Sequence, residues 1–264
     1  MSGMLSRTMT TECIFCGKKL NYFECFNKLG YIKIRRHLTE EEKKAMIITG
    51  GLETTSKMPC KSFSIPSTMC HIGSIMKNIK GSTCEHCYTF RYGRYAHVLA
   101  KQYERIGKMI DPQWIDAMVV LIKGEKNSVF RWHGSGDLMS VRHLENIVKV
   151  CQKTPEVAHW LPTLEADILR RYVDRHGKLD KIPNLVVRLS TPMLEGRPNY
   201  MLAKKYGVSL SRVTKKYNKK NIASMNLQEM HNLRLCVASK QDGHCNDCRK
   251  CWSREHQVIS YVYH

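Results

Sequence analysis

The chain has no long apolar run: nowhere does it approach the roughly 18 consecutive apolar residues of a spanning helix. Its opening, Met1-Ser2-Gly3-Met4-Leu5-Ser6-Arg7, has no apolar centre of a secretory signal, and there is no lipidation motif or basic amphipathic anchor. These absences predict a cytoplasmic protein with no membrane partner. Acidic residues are also scarce: 23 Asp and Glu against 43 Lys and Arg leave a net charge of +20. An excess of that size predicts a polyanionic partner, with nucleic acid the natural candidate. A hydrophobic content of 42% over 264 residues is that of a globular chain with one large or two modest domains. In a reducing compartment, twelve cysteines that include CxxC pairs are explained by metal ligation rather than by disulfides.

The stretch from Cys70 to Tyr88 organises the rest. Cys84-Glu85-His86-Cys87 puts two thiolates on one tight turn, and Cys70 supplies a third from the preceding loop. Three thiolates that leave one position open suit a reactive metal or iron–sulfur cluster, the alternative being a structural zinc completed by His71 or His86. Cys236, Cys245, Cys248 and Cys251 form a second set. Their tandem spacing suits a cubane cluster or structural zinc with every position filled. Near the start, Cys13-Ile14-Phe15-Cys16-Gly17 has the form of a zinc knuckle, for which Cys25 and His37 are the available partners.

A capping box at Thr39 to Glu42 predicts a short helix that Gly50-Gly51 ends. Six segments then read as strands: residues 62–66, 129–133, 159–162, 184–190, 207–213 and 233–237, with a closing strand at 257–263. Between them lie helical patterns, among them a stripe of Tyr88, Tyr92, Tyr95, Leu99, Tyr103 and Ile106, a segment from Trp114, the face Val141, Leu144, Val148 and Cys151, and residues 165–174. This alternation predicts an α/β fold, a partial (β/α)6 TIM-like barrel over residues 57–264, with a cysteine-rich C-terminal segment and a small N-terminal extension over residues 1–56. A doubly wound open sheet is the rival. In a barrel the loops at the carboxyl ends of the strands share one mouth. That mouth would gather the cysteine loop, Gly134-Ser135-Gly136-Asp137, Thr163, Ser190 and Val213-Thr214. The small residues of the 134–137 turn let backbone amides approach a ligand, and Asp137 offers a carboxylate to an amine or hydroxyl. His133 and Glu165 face the same mouth and are the catalytic candidates.

Lys204, Lys205, Arg212, Lys215, Lys216, Lys219 and Lys220 form an acid-free basic run interleaved with Tyr206 and Tyr217. It reads either as a nucleic-acid track, cations on phosphates and rings on bases, or as a solvated basic face.

The segments Lys57-Met-Pro-Cys-Lys-Ser-Phe-Ser-Ile-Pro66, Gly81-Ser-Thr-Cys-Glu-His-Cys-Tyr88, Phe130-Arg-Trp-His-Gly-Ser-Gly-Asp-Leu138, Trp160-Leu-Pro-Thr163, Asn184-Leu-Val-Val-Arg-Leu-Ser190 and Cys245-Asn-Asp-Cys-Arg-Lys-Cys-Trp252 resemble the phage "gene product 88" family. The resemblance covers about residues 57–264. The layout in turn resembles radical S-adenosylmethionine (SAM) enzymes, with a three-cysteine loop after the first strand, a glycine-rich acidic turn after the second and a polar residue after the fourth. That resemblance implies a [4Fe-4S] cluster on Cys70, Cys84 and Cys87, and SAM against Gly134, Ser135, Gly136, Asp137 and Ser190. It also implies an electron donor and a second [4Fe-4S] cluster or zinc on Cys236, Cys245, Cys248 and Cys251. The expected function is a radical-SAM-like enzyme of phage type in the host cytoplasm, acting on a nucleic acid or nucleotide. The alternative is a non-catalytic zinc- or cluster-binding nucleic-acid-binding protein. Two features depart from the pattern: Cys84 lies fourteen positions after Cys70, further than the usual loop, and Leu164 stands where the family carries an arginine after Pro-Thr.

Overall fold

The computed structural model describes residues 11–12, 19–20, 38–55, 57–90, 96–217 and 219–263. The expected zinc knuckle, Cys13, Cys16, Cys25 and His37, lies outside them. The chain divides into a unit of residues Met1–Thr39 and a unit of residues Glu40–His264. In the first, β1 (Thr11–Glu12) pairs antiparallel with β2 (Lys19–Leu20).

The second unit begins with α1 (Glu40–Thr49), directly after Thr39. Gly50 ends the helix as its sequence predicts, with φ 79° and its amide bonded back to the Met46 carbonyl at 2.9 Å. The strands that follow are β3 (Glu53–Thr54), β4 (Lys61–Phe63), β5 (Val129–Trp132), β6 (Ala158–Thr163), β7 (Leu185–Ser190), β8 (Ser209–Thr214) and β9 (Val258–Val262). They form one seven-stranded sheet in chain order, β3 antiparallel to β4 and every later pair parallel. Because a doubly wound sheet reverses its strand order at a switch point and this one never does, the rival topology is excluded.

The helices between the strands are α2 (His71–Met76), α3 (Ala96–Lys108), α4 (Trp114–Gly124), α5 (Val141–Lys153), α6 (Ala166–His176) and α7 (Tyr200–Tyr206). Leu99, Tyr103 and Ile106 of the expected stripe lie on α3 and Tyr88 lies in a 3-10 turn, while Tyr92 and Tyr95 lie outside the described residues. Alternation along the strands sends side chains to two faces. Phe63, Phe130, Trp132, Leu161, Val187 and Leu189 pack against Trp114 and Met118 of α4, Leu144 and Val148 of α5, Leu169 and Tyr172 of α6 and Ala203 of α7. Burying each such side chain stabilises the fold by about 1.5–3 kcal/mol. Cys151 lies in this core, as the apolar face of α5 predicts, and burial pushes its thiol up. The opposite face carries Val129, Trp160 and Ile259, which pack with Cys60, Cys251 and Trp252.

The expected strand at 233–237 does not form. The chain leaves α8 (Lys219–Ser224) and α9 (Leu227–Asn232), and Arg234 takes φ 58°, which turns the backbone out of the extended region. Only an isolated bridge from Leu235 to Ser260 remains, and a 3-10 turn (Val237–Lys240) follows. Leu235 and Val237 are buried, but against Ile222, Met230 and Val262. The sixth parallel strand is β9.

Two arginines bind the C-terminal segment to the sheet. Arg188, fully buried on β7, donates to the carbonyls of Lys250 (2.9 Å), Cys251 (3.1 Å), Ser253 (2.7 Å) and His256 (2.8 Å). Arg254 donates to the carbonyls of Asp180 (2.9 Å), Leu185 (2.7 Å) and Ile182. The Trp252 indole adds a bond to the Phe130 carbonyl at 2.7 Å. Among the described residues no helix is long and apolar enough to cross a membrane.

Candidate functional site

Beyond β4 the chain makes a 3-10 turn (Ser67–Met69) and enters α2 with Cys70 at the N-cap. The Cys70 side chain makes no capping bond, so its thiol remains available. Glu165, in the loop after β6, instead accepts from the Ile72 amide at 2.9 Å and fixes the start of this helix. Glu165 thus positions the loop that carries Cys70. The CxxC turn is held by the Cys87 amide on the Cys84 carbonyl at 3.1 Å. Ser82 Oγ accepts from the amides of Cys84 (3.2 Å) and Glu85 (2.9 Å) and donates to the Met76 carbonyl (2.6 Å). Across the loop, Thr83 donates its amide to Pro192 and Leu194 donates to Gly81, both at 2.9 Å, which straps the cysteine loop to the segment after β7.

Gly73 stands beside two of the sulfurs. A Cβ there would stand 2.8 Å from Cys70 Cβ, 3.6 Å from Cys70 Sγ and 3.8 Å from Cys84 Sγ. A side chain there would therefore push Cys70 out of its place, while both sulfurs stay at contact distance.

A cavity of about 230 Å³ opens at the carboxyl ends of the parallel strands. Its walls include Cys70, Cys84 and Cys87, the whole Gly134–Asp137 turn, His133, Ser190, Thr163 and Leu164. Cys70, Cys84, Cys87, His133, the 134–137 turn, Thr163 and Ser190, all singled out from the sequence, therefore meet in one space. The 134–137 turn is built on close approaches. A Cβ on Gly136, whose φ is 79°, would lie 2.3 Å from Ile65 Cγ1, and one on Gly134 would lie 2.9 Å from Ser64 Oγ and 3.0 Å from Ser62 Oγ. Asp137 is buried, with Oδ1 accepting from Thr163 Oγ1 (2.6 Å) and the Leu138 amide (2.7 Å) and Oδ2 from the Leu164 amide (2.8 Å). Burial pushes its pKa up to about 7 against those three bonds. Its carboxylate ties the turn after β5 to the turn after β6.

His133 adopts φ 53° and is buried, its ring 5.1 Å from that of His143. Burial, and then His143 and Arg131, hold its pKa well below the ordinary value, so the ring is neutral at pH 7. Neither ring nitrogen has a hydrogen-bond partner among the described residues, nor do the buried hydroxyls of Ser62, Ser64 and Ser135. Such orphaned groups are costly in a finished interior and here gather around one turn. Sequence reasoning missed Arg131, Ser211 and Tyr261, which also line this cavity. Ser211 shares a bond with Ser190, Oγ to Oγ, at 2.9 Å.

The second cysteine set sits where the C-terminal segment meets both ends of the sheet. The Cys236 amide donates to Ser260 at 2.9 Å, that of Cys245 to Lys57 at 3.0 Å and that of Cys248 to Cys245 at 2.9 Å. Cys251 Sγ lies 3.3 Å from the Tyr261 hydroxyl. Burial and the neighbouring thiols push Cys236 up to about 12, and burial pushes Cys251 up to about 11. Cys60 is a fifth thiol here, buried in the same cluster as Cys251 and raised to about 12 by burial. No CxxC spacing marks Cys60, so spacing alone leaves it out of the set. Burial likewise pushes Cys84 up to about 11 and Cys70 higher still. A metal binding either set displaces thiol protons. Among the described residues no group of three or more His, Cys, Asp or Glu side chains stands preassembled to hold a metal ion.

The basic run is divided. Lys204 and Lys205 lie in α7 at the amino end of β8, whereas Lys215 and Lys216 follow its carboxyl end. The six residues between those ends span about 20 Å at roughly 3.3 Å each. Lys219 and Lys220 open α8. Arg212 points into the cysteine-lined cavity and donates to Ser260 Oγ at 2.9 Å. Lys215 covers the Tyr263 ring at 4.5 Å, and the amides of Lys215 and Lys216 are both taken by Glu195.

The fold and the site define a class: a mixed α/β protein whose parallel strands, wound in chain order, present a cysteine-rich loop at their carboxyl ends. Within that class the chain matches the family described as Gene product 88 over residues 30–254, and it belongs to that family. The match begins upstream of Lys57 and takes in α1. No curated protein and no solved structure matches the chain.

Proposed function

We propose that the chain is a radical-SAM-like iron–sulfur enzyme acting on a nucleic acid or nucleotide. The observation that carries this reading is the meeting of Cys70, Cys84, Cys87 and the 134–137 turn in one cavity at the carboxyl ends of parallel strands. The fit is chemical: three thiols line one cavity with Gly73, and the Ser135 hydroxyl, without a partner, lines it too. These three cysteines would hold a [4Fe-4S] cluster, and the 134–137 turn with Ser190 would seat SAM. Such a cluster, when bound, supplies an electron for reductive cleavage of the SAM sulfonium to a carbon radical.

The remaining work falls to this chain's own side chains. Gly134 and Gly136 let the turn close onto Ser62, Ser64 and Ile65, which sets its backbone at the cavity wall, and Ser135, which lines the cavity, offers a hydroxyl without another partner. Asp137 holds the turn against Thr163 and Leu164, and Glu165 holds the Cys70 helix, so both act by positioning. His133 stays neutral and is available as a hydrogen-bond partner. We read the sheet as a partial (β/α)6 barrel. In support, its helices pack on one face, and residues of both edge strands, Glu53 of β3 and Val262 of β9, line a single second cavity. The closed set, Cys236, Cys245, Cys248 and Cys251, would hold a second cluster or zinc that ties β9 and the C-terminal segment together. The net charge of +20 supports an anionic substrate and an acidic electron donor.

The test is anaerobic purification and cluster reconstitution, followed by iron, sulfide and zinc analysis with an absorbance spectrum. The parent should carry iron and sulfide and cleave SAM under reducing conditions. An anaerobic preparation that holds zinc alone would sink the proposal.

A further inference from the structure

We propose that the second, larger cavity is the substrate chamber and that it takes a small phosphomonoester of nucleotide size, not a polynucleotide strand. The inference rests on reading the three-cysteine loop as the reaction centre. The cavity encloses about 820 Å³, within the range of roughly 300–1,000 Å³ typical of small-molecule sites. It joins the cysteine-lined cavity directly: Tyr88, Arg131, Gly134, Ser135 and Tyr261 line both.

Cys236, Cys245 and Cys251 of the second set form one part of its wall, and the charge of the remaining wall is one-sided. Among its lining residues Glu53 is the single carboxylate, and Arg105 takes it at 2.5 Å. Lys57, Lys101 and Arg131 line the same space with no carboxylate partner among the described residues. Arg131 is the pivotal group. Its guanidinium lies over the Trp160 ring at 4.6 Å, Nη1 meets only the Met58 sulfur at 2.9 Å, and the buried Nε has no partner. A planar fork held by stacking, with no carboxylate in its plane, is preorganised for a doubly charged phosphate. The flat faces of Tyr88 and Tyr261 at the junction suit a ring-bearing substrate. A strand fits less well. The basic run that would track a backbone is split between the two ends of β8, and Arg212 is turned inward.

Titration calorimetry of the full chain separates these cases. A panel of nucleoside 5′-monophosphates, the matching nucleosides, inorganic phosphate and a short oligothymidylate without terminal phosphate are the probes. At least one monophosphate should bind, its nucleoside about tenfold or more weaker, and the oligonucleotide no better. Arg131→Gln should weaken the monophosphate by about tenfold, the loss expected for one charge-assisted pair. If Arg131→Gln does not fold, the double variant Lys57→Ala/Lys101→Ala, at two exposed positions, should shift affinity in the same direction. Equal binding of nucleoside and monophosphate, tighter binding of the oligonucleotide, or no binding by any monophosphate would overturn the proposal. So would an Arg131→Gln variant that keeps full affinity and loses metal, because Arg131 would then serve the second cysteine set. Iron and sulfide are measured on the same sample. Monophosphate binding by a cluster-free chain would retain the chamber and refute the reaction centre.

Discussion

Gly73 packs against the side chain of Cys70, with Cys84 Sγ close by. A methyl group at that position would press on Cys70 Cβ at 2.8 Å and force it to shift. Gly73→Ala is therefore expected to displace Cys70 and sharply lower iron uptake on reconstitution, read by iron per chain, with some loss of melting temperature from the close approach. The buried histidines set a second expectation. Burial holds His143 and His159 down to about 3 and His133 well below its ordinary value, so each stays neutral in the folded chain. Their contribution is fully present above the unfolded value of about 6.5 and is lost as pH falls through the window below it, by about 1.4 kcal/mol per pH unit for each. Asp137, raised to about 7, works the other way, since the folded chain favours its protonated form. One group opposes three, so stability from denaturant titration should fall from pH 6.5 to pH 5. A flat profile would contradict the neutral burial. At this scale the sequence shows the cysteines because CxxC spacing is local. Gly73 and Arg131 matter only through what other elements bring against them, which spacing does not record.

Among the elements, the C-terminal segment depends on one side chain of β7. Arg188 interrupts the apolar run 185–189, and its four carbonyl acceptors between Lys250 and His256 lie more than sixty residues further on. Arg188→Leu keeps most of the volume but leaves buried carbonyls unpaired at about 1–3 kcal/mol each, so a loss of at least about 3 kcal/mol is expected by denaturant titration. A change within about 0.5 kcal/mol would mean the segment is held by other contacts. The second cysteine set adds to the same join. Cys248→Ala should lower the melting temperature more than Cys84→Ala does, because a saturated site makes metal binding part of folding. The reverse order would exchange the roles of the two sets. Hydrophobic patterning located β4 to β8 within a few residues. It misread 233–237 because Leu235 and Val237 are buried for a local cluster, and the positive φ of Arg234 carries no sequence mark.

At the scale of the whole molecule, the parallel sheet wound in chain order is what brings three loops distant in sequence to one place. Periodicity foretold the alternation of strand and helix, and hence which loops share an end, without any side-chain contact being known. It did not foretell that the basic run would be cut by β8, since charge spacing along a chain says nothing of which end of a strand each lysine reaches. The central claim is that Cys70, Cys84 and Cys87 hold a catalytic cluster. Its most direct test compares iron and sulfide per chain, with SAM cleavage, in anaerobically reconstituted parent and Cys84→Ala proteins. The variant should lose about four irons per chain and all SAM cleavage while remaining folded. Equal iron content in the two proteins, or zinc alone in both, would contradict it.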